Sequence, residues 1–177
     1  SNSSIRFNAL YGNNDNPTTV DRVTSNLRTT PNGITLEREE VPGERDNWEI
    51  GGDYEFTRDN GHRFKLLAIA NQDNRDTTRN RFLTLGDGSE EQNLFLNTGA
   101  ITEERIVRAA YTLDLFESQD LEFGIEGAQT TLDASLALGL IDATGTPSPN
   151  FGGLVPQTVT NANSTVEEIR FEPFLIH

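Results

Sequence analysis

Apolar and polar side chains alternate with a period of two along much of this chain, the spacing that sends neighbours to opposite faces of an extended strand. In residues 47–57 (NWEIGGDYEFT), Trp48, Ile50, Gly52, Tyr54 and Phe56 share one face, and Glu49, Gly51, Asp53, Glu55 and Thr57 the other. Arg58, Asp59, Asn60 and Gly61 follow, with Asn-Gly a favoured reverse-turn pair. The alternation resumes after His62, where Phe64, Leu66, Ala68 and Ala70 oppose Arg63, Lys65, Leu67, Ile69 and Asn71. The two segments predict a hairpin.

The pattern recurs downstream, and recurrence matters because a single short alternation arises by chance. In residues 105–116, Val107, Ala109, Tyr111, Leu113 and Leu115 oppose Arg108, Ala110, Thr112 and Asp114; ESQD (117–120) is expected to turn. Leu121, Phe123, Ile125 and Gly127 then oppose Glu122, Gly124, Glu126 and Ala128. In the last segment Ile169, Phe171 and Leu175 oppose Val166, Glu168, Arg170, Glu172 and Phe174. Further strands are predicted at 5–11, 33–41, 77–85, 92–97 and 132–140. The last of these, LDASLALGL, reads as a continuation of the strand before it. Its apolar side changes at Thr130 to Leu132, which predicts a bulge or twist there. Polar connections are expected at 12–32, 86–91 and 142–163, so that short turns lie at one end of an antiparallel meander and long loops at the other. No fixed-period repeat points to a solenoid or propeller.

Composition narrows the functions. The 177 residues carry 28 acidic and 14 basic side chains, a formal net charge of -14, which argues against nucleic acid or an anionic membrane surface as the main partner. Cysteine and methionine are absent, which excludes disulfides, thiolate metal sites and cysteine nucleophiles. No apolar run approaches the length of a membrane-spanning helix. Gly86 to Gly88 and Gly152-Gly153 lack phosphate-loop spacing and read as turns. His62 and His177 lie far apart in the chain, and neither accompanies a Gly-x-Ser-x-Gly elbow. Glu122 and Glu126 are the carboxylate pair to weigh for hydrolysis, although an even separation puts them on one side of a strand by geometry alone. Asp87, Glu90 and Glu91, with Asp73 and Asp76, are weighed for calcium, but DGSEE lacks calcium-loop spacing. The sequence therefore assigns no catalytic, metal or cofactor residue, and no enzyme activity is expected. Arg63, Lys65, Arg79, Arg81, Arg108, Glu122, Glu126, Glu168 and Arg170 interleave on the polar faces, where opposite charges on adjacent strands can pair.

A period of two does not say which face is inside. A soluble sheet with a dry core and a membrane barrel with a wet lumen both produce it. Outer-membrane strands span about 9 to 11 residues, with aromatic borders and alternating short and long connections. Trp48 and residues 54–56 flank one such span, and Phe116, Phe123, Phe171 and Phe174 lie near other borders. With that pattern, residues 119–140 (QDLEFGIEGAQTTLDASLALGL) and 166–177 (VEEIRFEPFLIH) resemble the barrel portion of TonB-dependent outer-membrane receptors. The resemblance covers the chain from Trp48 onward in style and is best in those two stretches. It implies a transmembrane barrel of 22 strands with an N-terminal plug, taking up an iron chelate, vitamin B12 or another scarce nutrient with energy passed from the inner membrane. It transfers no functional residue by position.

Residues 1–177 are accordingly expected to be one all-β unit, an antiparallel meander of seven to nine strands forming about a third of such a barrel. The expected partners are the remaining barrel strands and plug, the TonB system, a small nutrient or siderophore, and lipid with lipopolysaccharide on the outer wall. The expected location is the outer membrane of a Gram-negative bacterium. The alternatives are a soluble β-sandwich or small β-barrel acting as a ligand-binding module and, less strongly, a carboxylate-dependent hydrolase.

Overall fold

In the computed structural model, which describes residues 2–26, 33–116 and 119–177, the alternating segments are strands of one antiparallel sheet. They are β1 (Asn2–Asp15), β2 (Thr18–Asn26), β3 (Gly33–Val41), β4 (Gly43–Thr57), β5 (Arg63–Thr84), β6 (Glu90–Phe116), β7 (Gln119–Leu140), β8 (Val155–Gln157) and β9 (Asn163–Ile176). A short 3-10 turn at Pro149–Phe151 interrupts the long connection before β8. Among the described residues no helix is long and apolar enough to cross a membrane, which leaves strands unaddressed.

Several strands prove to be parts of longer staves. β1 and β2 are separated by Asn16 and Pro17, and β3 and β4 by Pro42, while the register runs straight through: Asp15 faces Glu44 and Thr18 faces Val41. Each proline removes a donor without turning the chain. The segments expected at 77–85 and 92–97 are the far ends of β5 and β6, which reach 22 and 27 residues. Six staves in simple up-and-down order result, β1/β2, β3/β4, β5, β6, β7 and β9, with β8 added beside the end of β7.

Three expectations need correction. Residues 12–15 and 18–26 of the expected 12–32 connection are strand, the first pairing with β4 and the second with β3. The 86–91 connection shrinks to a tight turn, with the Leu85 amide donating to the Ser89 carbonyl at 2.8 Å. No bulge occurs at 130–132: β7 pairs with β6 without slippage from Leu121 to Leu140, so its apolar side chains change face on an unbroken strand. The register shifts lie elsewhere, between Arg81 and Phe82 and between Asp114 and Phe116. Residues 27–32 and the Glu117 and Ser118 part of the expected ESQD turn lie outside the described residues; Gln119 and Asp120 begin β7.

The Arg58 to Gly61 turn forms as expected. The Gly61 amide donates to the Arg58 carbonyl at 3.1 Å, and Gly61 takes φ +84°, a conformation that favours glycine. This turn lies at the same end of the sheet as Asn2 and Ile176, since Asn2 faces Thr57 and Ile176 faces Glu122.

Among the described residues the sheet has no second layer. The buried apolar residues among those described are only Ala110, Ala128, Leu154 and Val155. A compact protein of 19.6 kDa exposes about 8,600 Å² by the size scaling of globular proteins. This chain exposes 12,240 Å². Large apolar side chains such as Ile5, Phe7, Tyr11, Phe171 and Leu175 are among those that face outward.

Candidate functional site

Among the described residues the extended feature with chemical character is the sheet itself, whose two faces differ. Cross-strand partners in an antiparallel pair share a face, so rows can be followed from stave to stave. Ser3, Phe56, Phe64, Tyr111, Phe123 and Leu175 form one row. The next rows on that face read Ile5, Tyr54, Leu66, Ala109, Ile125, Pro173 and then Phe7, Gly52, Ala68, Val107, Gly127, Phe171. None of these positions carries a charge, and Phe7 and Phe171 are each 72% exposed. Glycine and aromatic residues alternate as direct partners here. The Phe171 ring lies 3.5 Å from where a Gly127 Cβ would stand, so it covers the strand that glycine leaves bare.

Aromatic side chains border the belt. Phe56 and Phe64 stand at its lower edge, Tyr111 and Phe123 one pleat above that edge on β6 and β7, and Tyr11 beside Trp48 at its upper edge. The Trp48 indole N–H donates to Gln72 Oε1 at 2.9 Å, and Gln72 Nε2 donates to Glu103 Oε1 at 3.1 Å. Above this line the same face turns acidic and polar: Asn74 donates to Asp46 at 3.1 Å and Thr165 to Asp133 at 2.5 Å.

The Glu122 face, behind the belt, is ionic. Arg6 grips Asp53, with Nε and Nη2 at 2.9 and 2.8 Å from Oδ1. Lys65 lies 3.4 Å from Glu55. Arg108 lies 3.7 Å from Glu122 and 3.9 Å from Glu126, and Arg170 reaches Glu126 at 3.6 Å and Glu172 at 3.1 Å. Phe174 lies under the Arg108 guanidinium at 4.4 Å. The expected pairing of interleaved charges is therefore present on adjacent staves. The pairs are partly exposed, so each stabilises weakly; together they make the face one that water can wet.

Higher up, where β3 takes over from β4 beside β5, Glu39 is 7% exposed. Arg79 donates to it through Nε and Nη2 at 2.5 and 2.8 Å, and Arg22 stands 3.9 Å away. The Arg79 hydrogen bonds hold the Glu39 carboxyl below its usual range, against the opposing effect of burial. Sequence reading missed this carboxylate, although an Arg-Asn-Arg run aligned with an Arg-Glu-Glu run is the signal that could have found it.

The residues weighed for other chemistry do not assemble. Glu122 and Glu126 point to one side of β7 and share Arg108. Asp73 is held by Arg45 and Arg75, and Asp76 accepts from Asn97. Asp87 accepts from the Ser89 amide and hydroxyl, which lower its pKa, and Glu90 is taken by Arg38. Among the described residues no group of three or more His, Asp or Glu could hold a metal ion. His62 Nδ1 lies 3.0 Å from the Tyr111 hydroxyl. His177 follows β9, with β6 and β7 between it and the strand that His62 precedes, about 14 Å away at ordinary strand spacing. No protein-family model matches the chain, and neither does any curated protein.

Proposed function

We propose that this chain is part of the wall of a transmembrane β-barrel in an outer-membrane receptor of the TonB-dependent kind. The observation that carries the reading is the uncharged belt, continuous over six staves, with an ionic face directly behind it. An apolar medium on one side and water on the other suits both faces at once. A soluble module would need a second apolar layer over the Phe123 face, and the sheet supplies none.

On this reading the Arg58 to Gly61 turn faces the periplasm, and the 141–162 connection and the tight Leu85 to Ser89 turn face outward. The ionic face lines a solute pathway closed by further strands and a plug, through which an iron chelate or similar nutrient passes under TonB control. The role is not enzymatic, and it needs no cofactor from these residues. Phe123→Trp in a Trp48→Phe chain, reconstituted in vesicles with brominated acyl chains, tests it. Strong quenching is expected, and an emission insensitive to the bromines contradicts the assignment.

A further inference from the structure

The apolar belt does not follow the hydrogen-bonded rows. On the first two staves its upper end is Tyr11 beside Trp48, but Trp48 stands opposite Gln72, so on β5 the belt ends one pleat lower, at Ala70. Ala70 stands opposite Arg105, so on β6 it ends at Val107. Val107 shares its row with Ala68, Gly52 and Phe7, and Phe7 lies four residues before Tyr11. On β7 the border keeps that row, with Gly127 apolar and Gln129 polar. The lower border moves the same way: Ser3 is already polar on β1 and its partner Phe56 is the last belt position on β4, whereas Leu113 and Leu121 extend the belt on β6 and β7. β9 alone returns by one pleat, Ile169 standing beside Gln129.

A fall of four residues over the four steps from β1 to β7 is a slope of about 35°, at about 3.4 Å per residue and about 4.8 Å between strands. Strands of closed barrels tilt by about 35–45° from the axis, so a belt level with a membrane must cut the rows at about this angle.

The sense of the slope says which face is convex. With the side chain towards the observer and the strand running upward, an L-residue turns its N–H and C=O to the right. Asn16, continuing the Arg6 phase of β1, donates its amide to the Gly43 carbonyl at 2.8 Å, and Thr78, in the Leu66 phase of β5, donates to the Pro42 carbonyl at 3.0 Å. Seen from the Phe123 face with β1 upward, successive staves are therefore laid down to the left. Seen from outside a barrel, right-handed twist makes strands rise to the right and the rows rise to the left. A level belt must then reach lower rows from β1 to β7, which is the direction found. With the Glu122 face outside, it would have to climb.

We infer that the Phe123 face is the convex wall of a closed barrel and that its partner is lipid acyl chains, met along a level belt, so that one hydrogen-bonded row spans several depths. The inference rests on the barrel reading above, gives its choice of outer face an independent argument from the slope, and adds the tilt and the depth of each position. Ile50, Ala70 and Gln129 share one row through Arg105. Separate Ile50→Trp, Ala70→Trp and Gln129→Trp replacements in a Trp48→Phe chain, in vesicles brominated at graded acyl depths, read their levels. Ile50→Trp is expected to be deepest and Gln129→Trp shallowest, about 8 Å apart over three strand steps. Equal depths or the reverse order overturn the tilt and the side, as does quenching at Ile106→Trp on the other face. Absence of quenching at all four positions overturns the barrel reading itself.

Discussion

Gly124 leaves no room for a side chain, since a Cβ there would stand 2.3 Å from the Ala109 carbonyl oxygen and 2.5 Å from Phe174 Cζ. Gly124→Ala should therefore cost about 1–3 kcal/mol of stability in denaturant titration of the lipid-reconstituted chain. Adding Phe174→Ala should recover only part of it, because the backbone oxygen remains. At Gly127 the nearest ring carbons are 3.5 and 3.6 Å away, an ordinary contact. Gly127→Ala is expected to be neutral or stabilising by up to about 1 kcal/mol through the unfolded chain. Glu39 supplies the pH-dependent case. Its folded pKa is lowered by Arg79, so the pair contributes fully above the unfolded carboxyl value of about 4.3 and is lost as pH falls through the lower folded value. Glu39→Gln should cost about 1–2 kcal/mol at neutral pH, toward the low end for a charged hydrogen bond because the Arg79 side chain is 41% exposed. The same change should flatten the acid limb of a stability profile. An unchanged acid limb would remove Glu39 from that role.

At the scale of elements, the alternation made the 47–57 and 62–71 hairpin and the long 121–140 strand legible, because each carries strong aliphatic or aromatic residues in phase. β1 was legible only at 5–11: Gly12, Asn13 and Asn14 have low strand propensity, and pairing to Asn47, Asp46 and Arg45 overrides it. The bulge expected at 130–132 came from assuming that one face stays apolar for the whole strand. β7 instead leaves the belt near Gln129 and enters different surroundings, where Leu132, Leu136, Leu138 and Leu140 stand on the side that Glu122 and Glu126 occupy below. Ile125→Arg inside the belt should then cost about 2–4 kcal/mol in a bilayer. Leu132→Arg, on the other face and above the belt, should change stability by less than about 0.5 kcal/mol. Equal costs at the two sites would contradict the division of β7 into a lipid-facing and a water-facing part.

Across the whole molecule, the excess exposed surface and the belt have one origin. A single sheet of this width presents apolar side chains that nothing in the described chain covers, and the outer edges of β1 and β9 have no strand partner among the described residues. In water such edges and faces favour association between chains. The charge of -14 is compatible with this because many carboxylates stand behind the belt or above it, away from the level where lipid would lie. The candidate wall was half legible in the sequence. The two phases of each strand could be read, but the side that faces outward depends on how the belt slopes across paired strands, and pairing is a tertiary fact. The most direct test uses the absence of native cysteine. Single nitroxide-labelled cysteines at the positions from Leu121 to Gln129 other than Gly124, which has no room for a side chain, in vesicles, are exposed to oxygen, which concentrates in lipid, and to a polar nickel chelate, which stays in water. High oxygen access with low chelate access is predicted at Leu121, Phe123, Ile125 and Gly127, with the opposite at Glu122 and Glu126. Low access to both reagents at the Phe123 set, the mark of a dry protein core, would contradict it.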